Sequence, residues 1–464
     1  MSESAPHSVS WRVLLLRKGA SALLVFRTES GLLLPSVEIP AGCRTAPALN
    51  SNIKARWGIA VYSLYPIETA GGGPTIRYHL IEALHPDAEA PPSARWVLLH
   101  DARLASFSDS SDSGAVQTWL AGQVSKEINK SRPPFVTPGW FPAVQGFVQA
   151  AIRPLRLTGA FLQYNASPSF SLIRLETEGP AVWFKAVGEP NAREFPLTVF
   201  LSVKLPVFTP RVLASEPLWN AWLMPEIAGV ALARTKDPGA WFRAVRDLAR
   251  MQIASVAMTE GLLACAPRDV RTEALLGQVK PFFALMREWM NRQAKPSPPR
   301  LTELELEQLA CDTQDALLAL QQERIPDTLG HLDLNPENVI TADGGTVFLD
   351  WAEGCVGHPF LSFAHFLEHF LRTFGNDAPE TSGLIRAYLE AWHSLEGTDA
   401  LLRTLSRTVF LAIFAHAVSS DLWRDDRRML EPATAGYYRS LARRMKRYRD
   451  RAREGFSSVS EMFV

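Results

Sequence analysis

The chain has 464 residues, 47% of them hydrophobic, and its 48 Lys plus Arg balance 48 Asp plus Glu, so two or three domains with sizeable cores fit and no bulk charge draws it to nucleic acid or an anionic membrane. No stretch approaches 18 uninterrupted apolar residues, and MSESAPHSVSWR lacks the basic start and apolar run of a signal peptide. Cys43, Cys265, Cys311 and Cys355 are scattered with no C-x-x-C pair, which leaves neither a disulfide framework nor a zinc site and makes a reducing cytoplasm the expected compartment.

The first elements are strand-like runs at Val13 to Leu16, Ala22 to Phe26 and Tyr78 to Ala83, with a helix-prone segment near Ala46 to Trp57. Ser-rich 106–113, one predicted helix and Pro-containing 131–139 follow as a boundary. Between the strands, LPSVEIPAGCRTAPALNSNIKARWGI, Leu34 to Ile59, resembles a Nudix box without gaps, down to the closing Gly58 and Ile59. A working box needs carboxylates to hold the metals that activate water on a diphosphate. Its acidic positions are Cys43, Asn52, Ala55 and Arg56 here, and its arginine is Ser51. The resemblance therefore implies a degenerate Nudix-like α/β domain over residues 1–130, kept for binding or packing. An unrelated small α/β domain is the alternative.

Three further strands are predicted at Ala160 to Tyr164, Phe170 to Glu176 and Ala181 to Val187. The loop between the first two, Asn165 to Ser169, has no glycine; the hydroxyls of Ser167 and Ser169 are candidates to reach a phosphate, and an ordinary hairpin loop is the alternative. The third strand carries Lys185, and Arg193-Glu194 starts a helix running through Phe195, Val199, Phe200 and Val203. Beyond Trp222-Leu223-Met224-Pro225-Glu226-Ile227-Ala228-Gly229 the pattern turns helical. Trp241, Val245, Leu248 and Ile253, then Val279, Phe282, Phe283, Met286, Trp289 and Met290, recur at the spacing of one buried helix face, and Leu304 to Leu320 adds another helix.

LGHLDLNPENVITADGGTVFLDW, Leu329 to Trp351, reads as a β-hairpin, with strands Asn338 to Thr341 and Thr346 to Asp350 across a Gly-containing turn. Its ends bring the Asn338 amide and the Asp350 carboxylate to one edge, hard oxygen ligands suited to Mg²⁺. Asp333 lies one short loop upstream, placed to orient an attacking hydroxyl and accept its proton during phosphoryl transfer.

H-x-D-x-x-x-x-N followed by D-W resembles the aminoglycoside phosphotransferase and choline kinase-like family, relatives of protein kinases, whose loop commonly reads H-G-D-[LIF]-H-x-x-N. Here the glycine is Leu332 and the second histidine Asn335. The resemblance implies an α+β fold: a small mixed N-lobe over 140–229 after a linker at 131–139, then a helical C-lobe over 230–464. It implies an ATP- and Mg²⁺-dependent kinase for a small-molecule hydroxyl acceptor. Asp333 would be the base, His331 would brace its loop, and Asn338 and Asp350 would hold the metal. Lys185, paired with Glu194, would hold the nucleotide's phosphates, and the hinge around Met224 and Glu226 would bind adenine through its backbone.

Some departures are visible. Where the family tends to have G-D-P-x-x-D, this chain has His358 and Ser362, the latter expected to cap a helix. Those departures keep open a nucleotide-binding pseudokinase with a scaffolding or sensing role, although the main catalytic groups are all present. His365-Phe366-Leu367-Glu368-His369 matches a zinc pattern but reads as packed helix histidines. From Asp421 to Phe456, eleven Arg or Lys face six acids, as on an amphipathic terminal helix or an anionic-substrate contact. The oligomeric state and the acceptor are not encoded in any of these features.

Overall fold

The computed structural model describes residues 8–67, 76–124, 132–342, 344–375 and 378–454. Its class is α+β, with the strands concentrated early and the long helices late, as expected for a kinase-like chain. Close contacts divide it into two units: Met1–Phe195 with Arg211–Glu226, and Pro196–Pro210 with Ile227–Val464. The third crossing between units falls at Glu226/Ile227, inside the hinge sequence.

The first unit opens with a seven-stranded sheet of β1 (Ser8–Leu16), β2 (Ala22–Thr28), β3 (Gly31–Leu33), β4 (Ser36–Pro40), β5 (Val61–Ile67), β6 (Ile76–Ala83) and β7 (Ala94–Leu98). Its path runs β3-β2-β1-β6-β5, with β1 and β6 parallel. The Thr45–Trp57 helix buries Ala46, Leu49 and Ile53 and ends at Gly58, whose φ of 71° is cheap only without a Cβ. Sequence periodicity found three of these strands; β3, β4, β5 and β7 are too short or too mixed to stand out.

A second sheet holds β8 (Leu157–Ala166), β9 (Phe170–Thr177), β10 (Val182–Val187), β11 (Ala214–Glu216) and β12 (Ala221–Pro225), in the order β11-β12-β10-β9-β8. In β9 alternate residues are buried, Ser171, Ile173, Leu175 and Thr177, the period of a strand with one face on a core. That core is shared. Leu14, Tyr62 and Leu80 of the first sheet and Ile173, Phe184 and Leu223 of the second belong to one apolar cluster. The Trp140–Ala151 helix lies within it, with Phe141 stacked on Tyr62 at 4.8 Å and Trp140 against Phe184 at 5.6 Å. Burying each such ring is worth about 1.5–3 kcal/mol, so the first sheet is docked on the second rather than tethered to it.

Polar groups fix the register of this docking. Buried Gln163 accepts from the Ser63 N–H at 2.9 Å, donates to the Ser63 carbonyl at 2.7 Å and accepts from Asn50 Nδ2 at 3.0 Å. Both strands shift register here, β5 between Ser63 and Tyr65 and β8 between Gln163 and Asn165, so bulges expose the backbone that Gln163 satisfies.

His79 of β6 is 1% exposed, has no hydrogen-bond partner and meets Trp11 edge-on at 5.7 Å. Burial pushes its pKa down to about 3. A histidine neutral in the folded state and protonatable in the unfolded state binds more protons when unfolded, so its stabilising contribution is complete above pH 6.5. That contribution falls as pH drops from about 6.5 towards 3, by about 1.4 kcal/mol per pH unit once the unfolded imidazole is protonated. His79→Leu should therefore flatten the pH dependence. Denaturant unfolding at pH 7 and pH 5 should show the variant losing about 1–2 kcal/mol less than wild type across that interval; equal losses would place the charge elsewhere.

The second unit is mostly helical. It contains β13 (Val230–Ala231), β14 (Arg268–Val270), β15 (Thr328–His331), β16 (Val339–Ala342), β17 (Gly345–Phe348) and β18 (Gly354–Gly357), arranged as β13-β16-β17 and β14-β18-β15. The Glu303–Gln321 helix starts with a capping box, Thr302 Oγ1 accepting from Glu305 N while the Glu305 carboxylate accepts from Thr302 N. The Pro238–Ser255, Thr272–Asn291 and Pro359–Phe374 helices bury the apolar faces their spacing announced, except that Ile253, five residues past Leu248 and so turned off that face, is 42% exposed while Gln252 is buried in its place. The Thr398–Ser419 helix is long and apolar enough to cross a membrane, but 72% of its most apolar window is buried in the unit's core. Cysteines 43, 265, 311 and 355 are free.

Candidate active site

In the helical unit, β15 delivers the loop that carries the signature. It pairs with β18, and its other N–H groups find hydroxyls: Leu329 N donates to Ser255 Oγ and His331 N to Ser362 Oγ, both at 2.8 Å. Gly330 is required between them. A Cβ there would fall 2.7 Å from Cys355 Sγ and 2.8 Å from Ser362 Oγ. Ser362 thus supports the loop from inside the Pro359–Phe374 helix; the cap expected of it is supplied by His358, whose Nδ1 accepts from Phe360 N at 3.3 Å.

His331 is fully buried and packs against Trp351 at 5.1 Å. The Asp333 N–H donates to its Nδ1 at 3.1 Å, so Nε2 carries the proton and donates to the Leu349 carbonyl at 3.1 Å. Burial also lowers its pKa, favouring this neutral form. One ring therefore ties the loop ending at Asp333 to the residue before Asp350.

β16 and β17 pair from Val339 with Phe348 to Ala342 with Gly345. Asp343, in the turn, lies outside the described residues. The hairpin is shorter than expected at its open end, though one pair longer at the turn. Asn338 closes a 3₁₀ turn, Pro336–Asn338, instead of opening a strand, and its carbonyl accepts from Leu349 N at 2.8 Å. Asp350 lies past β17 with φ 61° and ψ 61°, a left-handed conformation that turns the chain sharply at the signature's end. Asn338 Nδ2 lies 3.5 Å from the Asp333 carbonyl, an orientation that leaves its side-chain oxygen to face elsewhere. Asp333, Asn338 and Asp350 are thus held on one scaffold.

Of the neighbours, Glu353, Arg268 and His416 carried no recognisable signal in the sequence. Glu353 is pinned by Arg268 at 2.6 Å, and its pKa is raised by burial and by the charges of Asp333 and Asp350. His416 Nε2 lies 2.7 Å from Tyr437 Oη and its ring lies edge-on to His365 at 5.8 Å. His369 and His416 are pushed down and Tyr437 up, in each case by burial first, with the Asp333 charge also acting on all three. In the terminal helix Arg444 is paired with Glu368 of the Pro359–Phe374 helix at 2.6 Å. Among the described residues no group of three or more His, Cys, Asp or Glu has metal-holding geometry.

The β-rich unit carries the other candidate residues. Lys185 lies in central strand β10, opposite Leu172 of β9 and Trp222 of β12. Its Nζ lies 2.6 Å from Glu194 Oε1, with the two side chains 8% and 1% exposed. The rings of Phe170 and Trp222 flank the ammonium at 5.4 and 5.7 Å. Ser167 Oγ is engaged in its own turn, with Phe170 N and O each at 3.2 Å. The hinge strand pairs Met224 with Trp183, and Glu226 N donates to the Ala181 carbonyl at 3.0 Å. The Glu226 carboxylate is taken by Arg174 at 3.1 Å, which leaves only backbone at that position for a ligand.

Residues 189–400 match the model of a phosphotransferase enzyme family. The match covers less than half of the chain. It includes Glu194, the hinge, His331, Asp333, Asn338 and Asp350, while Lys185 precedes it. No curated protein matches the chain. Among solved structures, a macrolide 2'-phosphotransferase of Brachybacterium faecium is 17% identical, with TM-score 0.44 over 65% of this chain and 97% of that one. A choline/ethanolamine kinase family protein of Mesorhizobium loti is 14% identical, with TM-score 0.45 over 69% and 97%. An ethanolamine kinase of Plasmodium vivax is 13% identical, with TM-score 0.43 over 62% and 81%.

Proposed function

We propose that this protein is an ATP- and Mg²⁺-dependent O-phosphotransferase acting on a hydroxyl of a small molecule. The observation that carries the reading is the His331 brace, which holds Asp333 and the Leu349–Asp350 turn on one buried imidazole. A catalytic carboxylate and a metal ligand need that fixed relation, because phosphoryl transfer is mostly positioning and charge stabilisation.

The acceptor's hydroxyl oxygen forms a bond to the γ-phosphorus, the bond from that phosphorus to the bridging oxygen of ADP breaks, and the hydroxyl proton passes to the Asp333 carboxylate. His331, locked in one tautomer by two hydrogen bonds, is a positioning residue and not a proton carrier. The Asn338 oxygen and the Asp350 carboxylate suit Mg²⁺, which commonly takes one or two protein oxygens and completes its shell with phosphate and water. Bound there, the ion would neutralise charge on the transferring phosphates. Lys185, held extended by Glu194, contacts the nucleotide's phosphates. The backbone around Met224 and Glu226 takes adenine, and Ser169 is the freer of the two loop hydroxyls to approach phosphate. Residues 1–130 serve as a Nudix-like binding or packing domain, in keeping with the exposed, non-acidic Cys43, Asn52, Ala55 and Arg56. A small-molecule acceptor in the cytoplasm completes the reading.

The nucleotide half is tested by a double-mutant cycle. Lys185→Ala and Glu194→Ala should each weaken catalysis, and each breaks a buried ion pair, at a stability cost of about 3–5 kcal/mol. The double variant should lose less than the sum, because both substitutions break the same contact. Catalytic efficiency with ATP and melting temperature measured on all four proteins check this; additive losses in folded variants would contradict the pairing role.

A further inference from the structure

Asp333 is exposed at the end of its loop, and four other parts of the helical unit bring polar side chains to it. Glu353 lies three residues after Asp350, His369 on the Pro359–Phe374 helix, His416 on the Thr398–Ser419 helix and Tyr437 on the Pro432–Glu454 helix. Hydrogen bonds tie this group to the loop. The Glu353 carbonyl accepts from Leu332 N at 3.0 Å, one residue before Asp333. Arg268 joins the Glu353 carboxylate, at 2.6 Å, to the Ser419 carbonyl, at 2.5 Å, three residues after His416. His416 Nε2 in turn holds Tyr437 Oη at 2.7 Å. The charge of Asp333 reaches all four side chains.

Their hydrogen-bonding capacity is not used up. Arg268 takes one Glu353 oxygen, and the side chain stays 27% exposed with no second partner among the described residues. Tyr437 is 48% exposed, and its oxygen has one partner among the described residues where a hydroxyl can make three bonds. Whichever of His416 and Tyr437 donates to the other, Oη keeps a lone pair for a ligand. His369 is partly exposed, and burial favours its neutral ring, with one nitrogen to give a hydrogen bond and one to take it.

Resting on the phosphotransferase reading above, we propose that Glu353, His369 and Tyr437 form the acceptor subsite and that the acceptor is a polyhydroxy compound of carbohydrate type. Its reacting hydroxyl lies at Asp333, and its neighbouring hydroxyls are held by the three. The mixture of groups decides the class. A carboxylate only takes hydrogen bonds, whereas a neutral imidazole and a phenol both give and take; a hydroxyl answers all of them, and an ammonium, which only gives, does not. The exposed Tyr437 ring adds an apolar face for the C–H side of a sugar ring.

Initial rates with Mg²⁺-ATP across monosaccharides, polyols, ethanolamine, choline and longer amino alcohols test the class. The best polyhydroxy acceptor should exceed the best amino alcohol in kcat/KM by about tenfold or more. On that acceptor Tyr437→Phe, which keeps the ring at an exposed position, should raise KM about three- to tenfold, the worth of one hydrogen bond between neutral groups, with kcat and the Kd of ATP little changed. Glu353→Gln should raise the same KM, and Tyr437→Phe decides the matter if loss of the Arg268 contact impairs folding. Preference for an amino alcohol, or an acceptor KM that Tyr437→Phe leaves unchanged, would overturn the proposal while the ester formed left the phosphotransferase reading standing. No ester on any acceptor would overturn both.

Discussion

Asp333→Asn should lower phosphoryl transfer to the true acceptor by roughly 10²- to 10⁴-fold, the usual contribution of a positioned general base. The substitution keeps the side chain's shape and leaves the residue's backbone N–H free to donate to His331 Nδ1, so the loop should hold its course. Nucleotide binding depends in this account on Lys185, the hinge backbone and the metal pair. ATP affinity should therefore change little while kcat falls. Rapid-quench or steady-state assays paired with nucleotide titration separate the two; an equal fall in ATP affinity would mean that Asp333 organises the nucleotide and not the acceptor.

Removing the Asp350 carboxylate should be as damaging by a different route. A metal on transferring phosphate oxygens supplies several kcal/mol of charge stabilisation, and each 1.4 kcal/mol is tenfold, so a loss on the order of 10³-fold in Mg²⁺-dependent turnover is expected. The choice of variant matters because of the backbone. Asp350 has φ 61°, a region that costs alanine roughly 1–2 kcal/mol and that asparagine tolerates. Asp350→Asn should therefore melt close to wild type and still lose Mg²⁺-dependent turnover, whereas Asp350→Ala should also melt lower. Retained metal dependence in a folded Asp350→Asn protein would remove Asp350 from the metal site.

The signature was legible because its chemistry is local. His331, Asp333, Asn338 and Asp350 lie within twenty residues, and one hairpin brings their ends together whatever surrounds it. Lys185 and Glu194 were legible for a similar reason: nine residues and one strand-to-helix turn separate two charges that meet at 2.6 Å. Long helices announced themselves through faces such as Phe282, Phe283 and Met286. Harder to read were features made by residues far apart in the chain. Gln163 satisfies Ser63 across a hundred positions, and no local pattern distinguishes a glutamine that bridges two sheets from one on a strand edge. Ser362 looks like a helix cap from sequence because serine favours that position, yet Pro359 itself starts the helix, leaving the serine inside it to receive His331 N. His416 and Tyr437 meet through two helices whose sequences advertise only packing and charge. The left-handed turn at Asp350 also escaped notice, since an aspartate after an apolar run reads as a strand end.

The protein's central claim to be a phosphotransferase is tested most directly by following phosphorus itself. Wild-type protein with Mg²⁺ and ATP is incubated with sugars, aminoglycosides, amino alcohols and nucleosides in turn, and ³¹P NMR records the products. A new phosphomonoester resonance with at least one acceptor, matched mole for mole by ADP and lost in Asp333→Asn, is the predicted result. Saturable binding of Mg²⁺-ATP with no ester formed on any acceptor, and a cellular role unaffected by Asp333→Asn, would contradict it and leave a nucleotide-binding pseudokinase.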